Sequence, residues 1–152
     1  MNNEEYIMLC EKLQRGSKNH AYWQKVVRNQ KDVPIRSVWQ ALPLPMMSKL
    51  LGNIRPKKKE CYKNALLVAQ YLHCDYVEGY VNIGGLPIEH AFNKMNGSYF
   101  DVTLELALGD KVDKYEYTSI MELDRERVLD IASELELYGP YASYVYSKHI
   151  KL

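Results

Sequence analysis

The sequence contains no apolar run long enough to span a bilayer, no internal repeat and no low-complexity tract. It also has almost no net charge, with 20 Lys and Arg against 19 Asp and Glu in 152 residues. The first absence rules out a transmembrane reading. The last removes the global field that draws a protein to nucleic acid or to an anionic membrane, so membrane partners are not expected and nucleic acid is disfavoured. Cysteine is scarce too: three residues, an odd number, with no C-x-x-C pair and no second closely spaced histidine. Neither a disulfide framework nor a structural metal site is expected from that set, and Cys10 and Cys74, the latter beside His73, read as packing or surface residues. Residues 1 to 15 carry Glu4, Glu5 and Glu11 and no uninterrupted apolar core, unlike a secretory leader. The expected compartment is the cytoplasm, where thiols stay reduced.

What is present fits one domain. A chain of this length buries roughly two thirds of the surface its unfolded form exposes. The expected organisation is a helical first part over 1–56, a core over 58–121, and a helix with a tyrosine-rich tail over 122–152. Apolar spacing predicts helices over 3–15 and 20–31. Pro34, Pro43, Pro45, Gly52 and Pro56 mark 32–56 as a connection holding a short helix near 46–51. The segment 60–73, ECYKNALLVAQYLH, is rich in helix formers and nearly apolar all round, the pattern of a buried helix. Strand character follows over 76–83, 86–93 and 98–106, punctuated by Gly84-Gly85 and Asn96-Gly97, two-residue hairpin signals. A fourth strand over 113–120 and a helix over 124–137, with Asp124 and Glu126 in its first turn, complete the α+β pattern.

The hairpin turns dictate which side chains meet. A two-residue turn at Asn96-Gly97 sets His90 opposite Thr103 and Phe92 opposite Asp101, so His90 and Asp101 share a face as diagonal neighbours. A turn at Gly84-Gly85 sets Gly79 opposite His90 and leaves space beside the imidazole. Val77, Ile83 and Leu86 make this the more apolar face, so the helix 60–73 is expected to pack on it. Cys61 lies in the first turn of that helix, where free N–H groups and the helix dipole favour negative charge. Cys61, His90 and Asp101 are therefore candidates for nucleophile, base and orienting acid. The N–H of Cys61 is a candidate oxyanion donor, with Asn53 or Asn64 as a second. Tyr62 and Gly79 are candidate substrate neighbours.

A Cys at the start of a buried helix, a strand with H-A-F and a strand with F-D-V-T together resemble the transglutaminase-like branch of the papain-like cysteine protease superfamily. The resemblance covers residues 58 to 106. Tyr62 and Phe92 stand in neighbourhoods where that family often has tryptophan. It implies a papain-like core and a thiol-dependent hydrolase or acyltransferase acting on a peptide, protein or small amide or ester, with Cys61 as nucleophile, His90 as general base and Asp101 as its partner. No metal or organic cofactor is implied. Two other readings remain open. One is a non-catalytic module of the same fold that binds a protein through the tyrosine-rich end or the proline-rich segment 42–47. The other is a nucleic-acid binder using Arg55 and Lys57 to Lys59, a run that otherwise reads as a solvated connector.

Overall fold

The computed structural model describes residues 20–107 and 111–147. The helix expected over 3–15, and with it Cys10, lies outside the described residues. The elements run α1 (His20–Asn29), β1 (Lys31–Val33), α2 (Val38–Ala41), α3 (Leu44–Ile54), α4 (Cys61–Leu72), β2 (Asp75–Ile83), β3 (Leu86–Met95), β4 (Ser98–Phe100), a π-helical stretch (Thr103–Ala107), a 3-10 turn (Val112–Lys114), β5 (Glu116–Leu123), α5 (Arg125–Leu135) and α6 (Ala142–Ser147). The strands form one antiparallel sheet in the order β1-β5-β2-β3-β4. The chain is thus α+β, and no described helix is long and apolar enough to cross a membrane.

Both hairpins take the expected register, with Gly79 opposite His90 across one turn and Asn93 opposite Phe100 across the other. Asn96 and Gly97, like Gly84 and Gly85, have positive φ, as a two-residue turn matching the strand twist requires. The third expected strand is shorter than its pattern suggests, so the expected pairs of His90 with Thr103 and of Phe92 with Asp101 do not form. β4 ends at Phe100, and the chain turns at Asp101 into the π-helical stretch. The connection at 32–56 holds more structure than its prolines suggest. Lys31–Val33 pairs with β5 at the sheet edge, and α3 runs from Leu44 to Ile54 with Pro45 in its first turn, where a missing N–H costs nothing.

Helix α4 is buried on two sides. Ala65, Leu66 and Ala69 pack on Tyr76, Tyr80 and Ala91 of the sheet, together with α1, α5 and α6. Val68 packs against Met47 and Leu50 of α3. This corrects the expected face. Val77, Val81 and Phe92 lie on the other side of the sheet, with Tyr117, Leu104 and Val112, because Tyr76 and Tyr80 supply the larger apolar surface next to the helix. The buried side chain of Asn93 fixes α4 along β3, its Nδ2 donating to the carbonyls of Ala65 (2.9 Å) and Asp75 (3.1 Å).

Gly79 also has a different reason for being glycine. The β2–β5 register shifts between Glu78 and Gly79, and a Cβ at Gly79 would stand 1.8 Å from the carbonyl oxygen of Thr118. The position makes room for a neighbouring strand. Gly79→Ala should therefore destabilise the fold by about 3 kcal/mol or more, since backbone cannot yield as a side chain can. Gly52→Ala, in helix α3 with nothing within 4 Å, should instead stabilise it by about 0.5–1 kcal/mol. Urea denaturation of the two variants beside the wild type measures both.

Candidate active site

Three segments deliver the candidate residues to one place. α4 begins at Cys61, β3 carries His90, and Asp101 follows the last residue of β4. β4 pairs with β3 only at Asn93, Lys94 and Met95, which leaves the outer edge of β3 open from Leu86 to Phe92. His90 lies in that unpaired stretch of β3, although the body of α4, which begins at Cys61, packs on the opposite face from Phe92. Had β4 continued to residue 106, as its alternating pattern suggested, it would have closed this edge.

His90 and Asp101 are buried, and the imidazole Nε2 donates to the Asp101 Oδ2 at 2.7 Å. The same carboxylate receives two more hydrogen bonds. Tyr117 Oη donates to Oδ2 at 2.6 Å, and the backbone N–H of Leu104 donates to Oδ1 at 3.2 Å. Asp101 is thus an acceptor held from three directions. Phe92 stacks beside the imidazole, with ring centroids 6.4 Å apart, and Tyr117 presents an edge at 6.3 Å. With Nε2 engaged by Asp101, Nδ1 is the ring nitrogen left for Cys61, whose side chain is near enough to help raise the His90 pKa.

Burial works to lower the His90 pKa and is outweighed by the charge and hydrogen bond of Asp101, with Cys61 adding to the rise, so that it is pushed up to about 10. The imidazole therefore holds its proton at neutral pH.

The remaining candidates divide. Tyr62 and Gly79 lie with His90 on the wall of a cavity of about 220 Å³, which Glu78, Tyr80 and Glu89 also line. The two asparagines do not join the group. Asn64 is buried, and its Nδ2 donates to the Lys57 carbonyl and to Thr103 Oγ1, both at 2.9 Å, while its Oδ1 accepts from the Lys57 N–H at 3.2 Å. It clamps the chain before α4 to the chain after Asp101. Asn53 bonds to the Lys49 carbonyl and to Tyr71 Oη. Tyr71 lies ten residues along α4 from Cys61, roughly 15 Å at the helical rise. The N–H of Cys61 remains a donor candidate, because the first N–H groups of a helix have no intrahelical acceptor and Glu60 makes no side-chain cap bond.

Sequence reasoning missed two residues, Tyr117 and Glu78. Tyr117 alternates into the face shared by Val77 and Phe92, so the period of β5 carried its signal once the pairing with β2 was known. Glu78 is a charged residue of β2 that is nonetheless buried, where Tyr76 Oη and the N–H groups of Tyr141 and Ala142 donate to it. Nothing local in the sequence announced that the C-terminal segment would cover it. Among the described residues no group of three or more His, Cys, Asp and Glu side chains is placed to hold a metal ion. No protein-family model, curated protein or solved structure matches the chain.

The raised His90 pKa has a sign that can be tested. A histidine whose folded pKa lies above its unfolded value of roughly 6.5 contributes stability that is fully present below that value. The contribution is lost as pH rises towards about 10. The stability difference between the wild type and His90→Gln should thus be widest near pH 6 and narrow steadily up to pH 10, as measured by urea denaturation at a series of pH values.

Proposed function

We propose that the protein is a thiol-dependent acyl-transfer enzyme, a hydrolase or acyltransferase for amides or esters, with Cys61 as nucleophile, His90 as proton carrier and Asp101 as orienting group. The observation that carries this reading is the buried His90–Asp101 pair at 2.7 Å with Cys61 as the imidazole's other partner. It also fits the resemblance of residues 58–106 to the transglutaminase-like, papain-like superfamily. In the first step the sulfur of Cys61, its proton held on Nδ1 of His90, attacks the substrate carbonyl carbon. The oxyanion that forms is met by the N–H of Cys61. As the tetrahedral intermediate collapses, the C–N or C–O bond breaks and His90 returns the proton to the departing amine or alcohol. Water or an amine then attacks the thioester, gives its proton to His90 and releases the acyl product, which restores the Cys61 sulfur beside the protonated imidazole. Asp101 keeps the imidazole in one orientation and stabilises its charged form throughout, and Tyr117 holds Asp101 in turn.

Two experiments test the reading. Limiting iodoacetamide with peptide mass mapping should label Cys61 at least about tenfold faster than Cys74. Burial above all, with the charge of Asp75, pushes the Cys74 thiol up to about 12. His90→Ala should slow the labelling of Cys61 near neutral pH; equal labelling of both thiols would favour the non-catalytic module instead. In Asp101→Asn the amide presents the wrong group to the imidazole, so turnover of an amide or ester substrate should fall by about two orders of magnitude or more while a cooperative thermal transition persists. A folded Asp101→Asn variant with wild-type turnover would reduce the triad to a Cys61–His90 dyad.

A further inference from the structure

The cavity beside His90 is acidic as well as aromatic. Tyr22, Tyr62 and Tyr80 line its wall together with Glu78 and Glu89. Glu78 is the unusual member. It lies buried on the helix-covered face of the sheet, and every group bonded to it is a donor. Its Oε2 accepts from Tyr76 Oη at 2.5 Å and from the Tyr141 N–H at 2.7 Å, and its Oε1 accepts from the Ala142 N–H at 2.9 Å. Three donors define an acceptor, and a carboxylate oxygen with a single such bond keeps a lone pair for another.

A buried negative charge is ordinarily matched by a positive one. Among the described residues no lysine or arginine forms an ion pair with Glu78 or Glu89. The basic group in the wall, His90, is already paired to Asp101. Burial foremost, with Glu89 adding to it, raises the Glu78 pKa against the pull of its three hydrogen bonds, so the two carboxylates repel each other. Tyr62, which follows Cys61 in the first turn of α4, lines this wall and so sets the thiol's own helix turn against the acidic cavity. A positive charge placed there relieves the repulsion, and tyrosine faces add cation–π attraction.

We propose that the cavity is a specificity pocket that binds a cationic end of the acyl donor, an ammonium or guanidinium on a short apolar stem. The inference rests on the thiol reading of Cys61. At about 220 Å³ the pocket suits one side chain and falls below the usual range for a whole drug-sized ligand. The bound cation belongs to the donor and is not the amine that resolves the thioester. Carboxylates hold an amine in its protonated form, and an ammonium has no lone pair with which to attack a carbonyl.

The test needs no knowledge of the natural substrate. Three methanethiosulfonates of similar size and different charge, the ethylammonium, hydroxyethyl and ethylsulfonate reagents, are reacted with the full chain at low ionic strength. Modification of Cys61 is followed by peptide mass mapping, and each rate is divided by that of the same reagent with 2-mercaptoethanol. The cationic reagent should exceed the anionic one by about tenfold, and Glu89→Gln, at an exposed position, should reduce that ratio severalfold without unfolding the chain. Glu78→Gln should reduce it further where the variant folds. N-acetyl-lysine amide or N-acetyl-arginine amide at millimolar concentration should slow the neutral reagent, and whichever protects better identifies ammonium or guanidinium; N-acetyl-glutamine amide should not protect. A reactive Cys61 with no charge preference, unchanged by Glu89→Gln, would overturn the cationic pocket and leave the thiol reading standing. A Cys61 inert to all three reagents would overturn the thiol reading itself, and the pocket with it.

Discussion

A carboxylate with no access to water must find its hydrogen-bond donors within the protein, and Asp101 finds them in three different segments. The imidazole comes from β3, the phenol of Tyr117 from β5, and the N–H of Leu104 from the π-helical stretch that follows. Losing any of these would leave a buried charge short of a partner, a defect costing more than an ordinary hydrogen bond contributes. The site is therefore tied to the sheet and to the end of β4 together. Its residues are held by the fold rather than by a loop.

Glu78 repeats that logic on the opposite face. It too is buried and surrounded by donors, two of them backbone N–H groups at the start of α6. β2 thus carries one buried acid that captures the C-terminal segment, while the chain beyond β4 carries another that captures the histidine. Between them the sheet has a charged anchor on each face, and the cavity lies where the two arrangements come closest along Gly79 and His90.

The parts of this arrangement that were legible in the sequence are those decided by local chemistry. Two-residue turns fixed the strand registers, so the partnership of Gly79 with His90 could be written from Gly84-Gly85 alone. The helix former pattern and the position of Cys61 located the start of α4. What could not be read depended on competition between distant surfaces. Either face of β2 and β3 could have accepted α4, and the volume of Tyr76 and Tyr80 decided it. The premature end of β4 was hidden because Asp101, Thr103 and Glu105 alternate with apolar neighbours as a strand would. The demand of Asp101 for the Leu104 N–H supports the turn that replaces it. Asn64 looked like a donor for chemistry from its place one turn after Cys61, yet its amide is consumed by the two segments it joins.

Asn93 sets the position of the thiol from a distance. It stands three residues from His90 on β3 and binds the carbonyl of Ala65, four residues from Cys61 on α4. These are two short, stiff arms of regular structure joined by one amide, and they behave as a caliper. Apolar contacts between α4 and the sheet resist separation but tolerate sliding, because one methyl group serves as well as the next. The amide has a single carbonyl to bind on the helix, so it converts a surface that only adheres into one with a zero mark, and the sulfur's reach to the imidazole is measured from there.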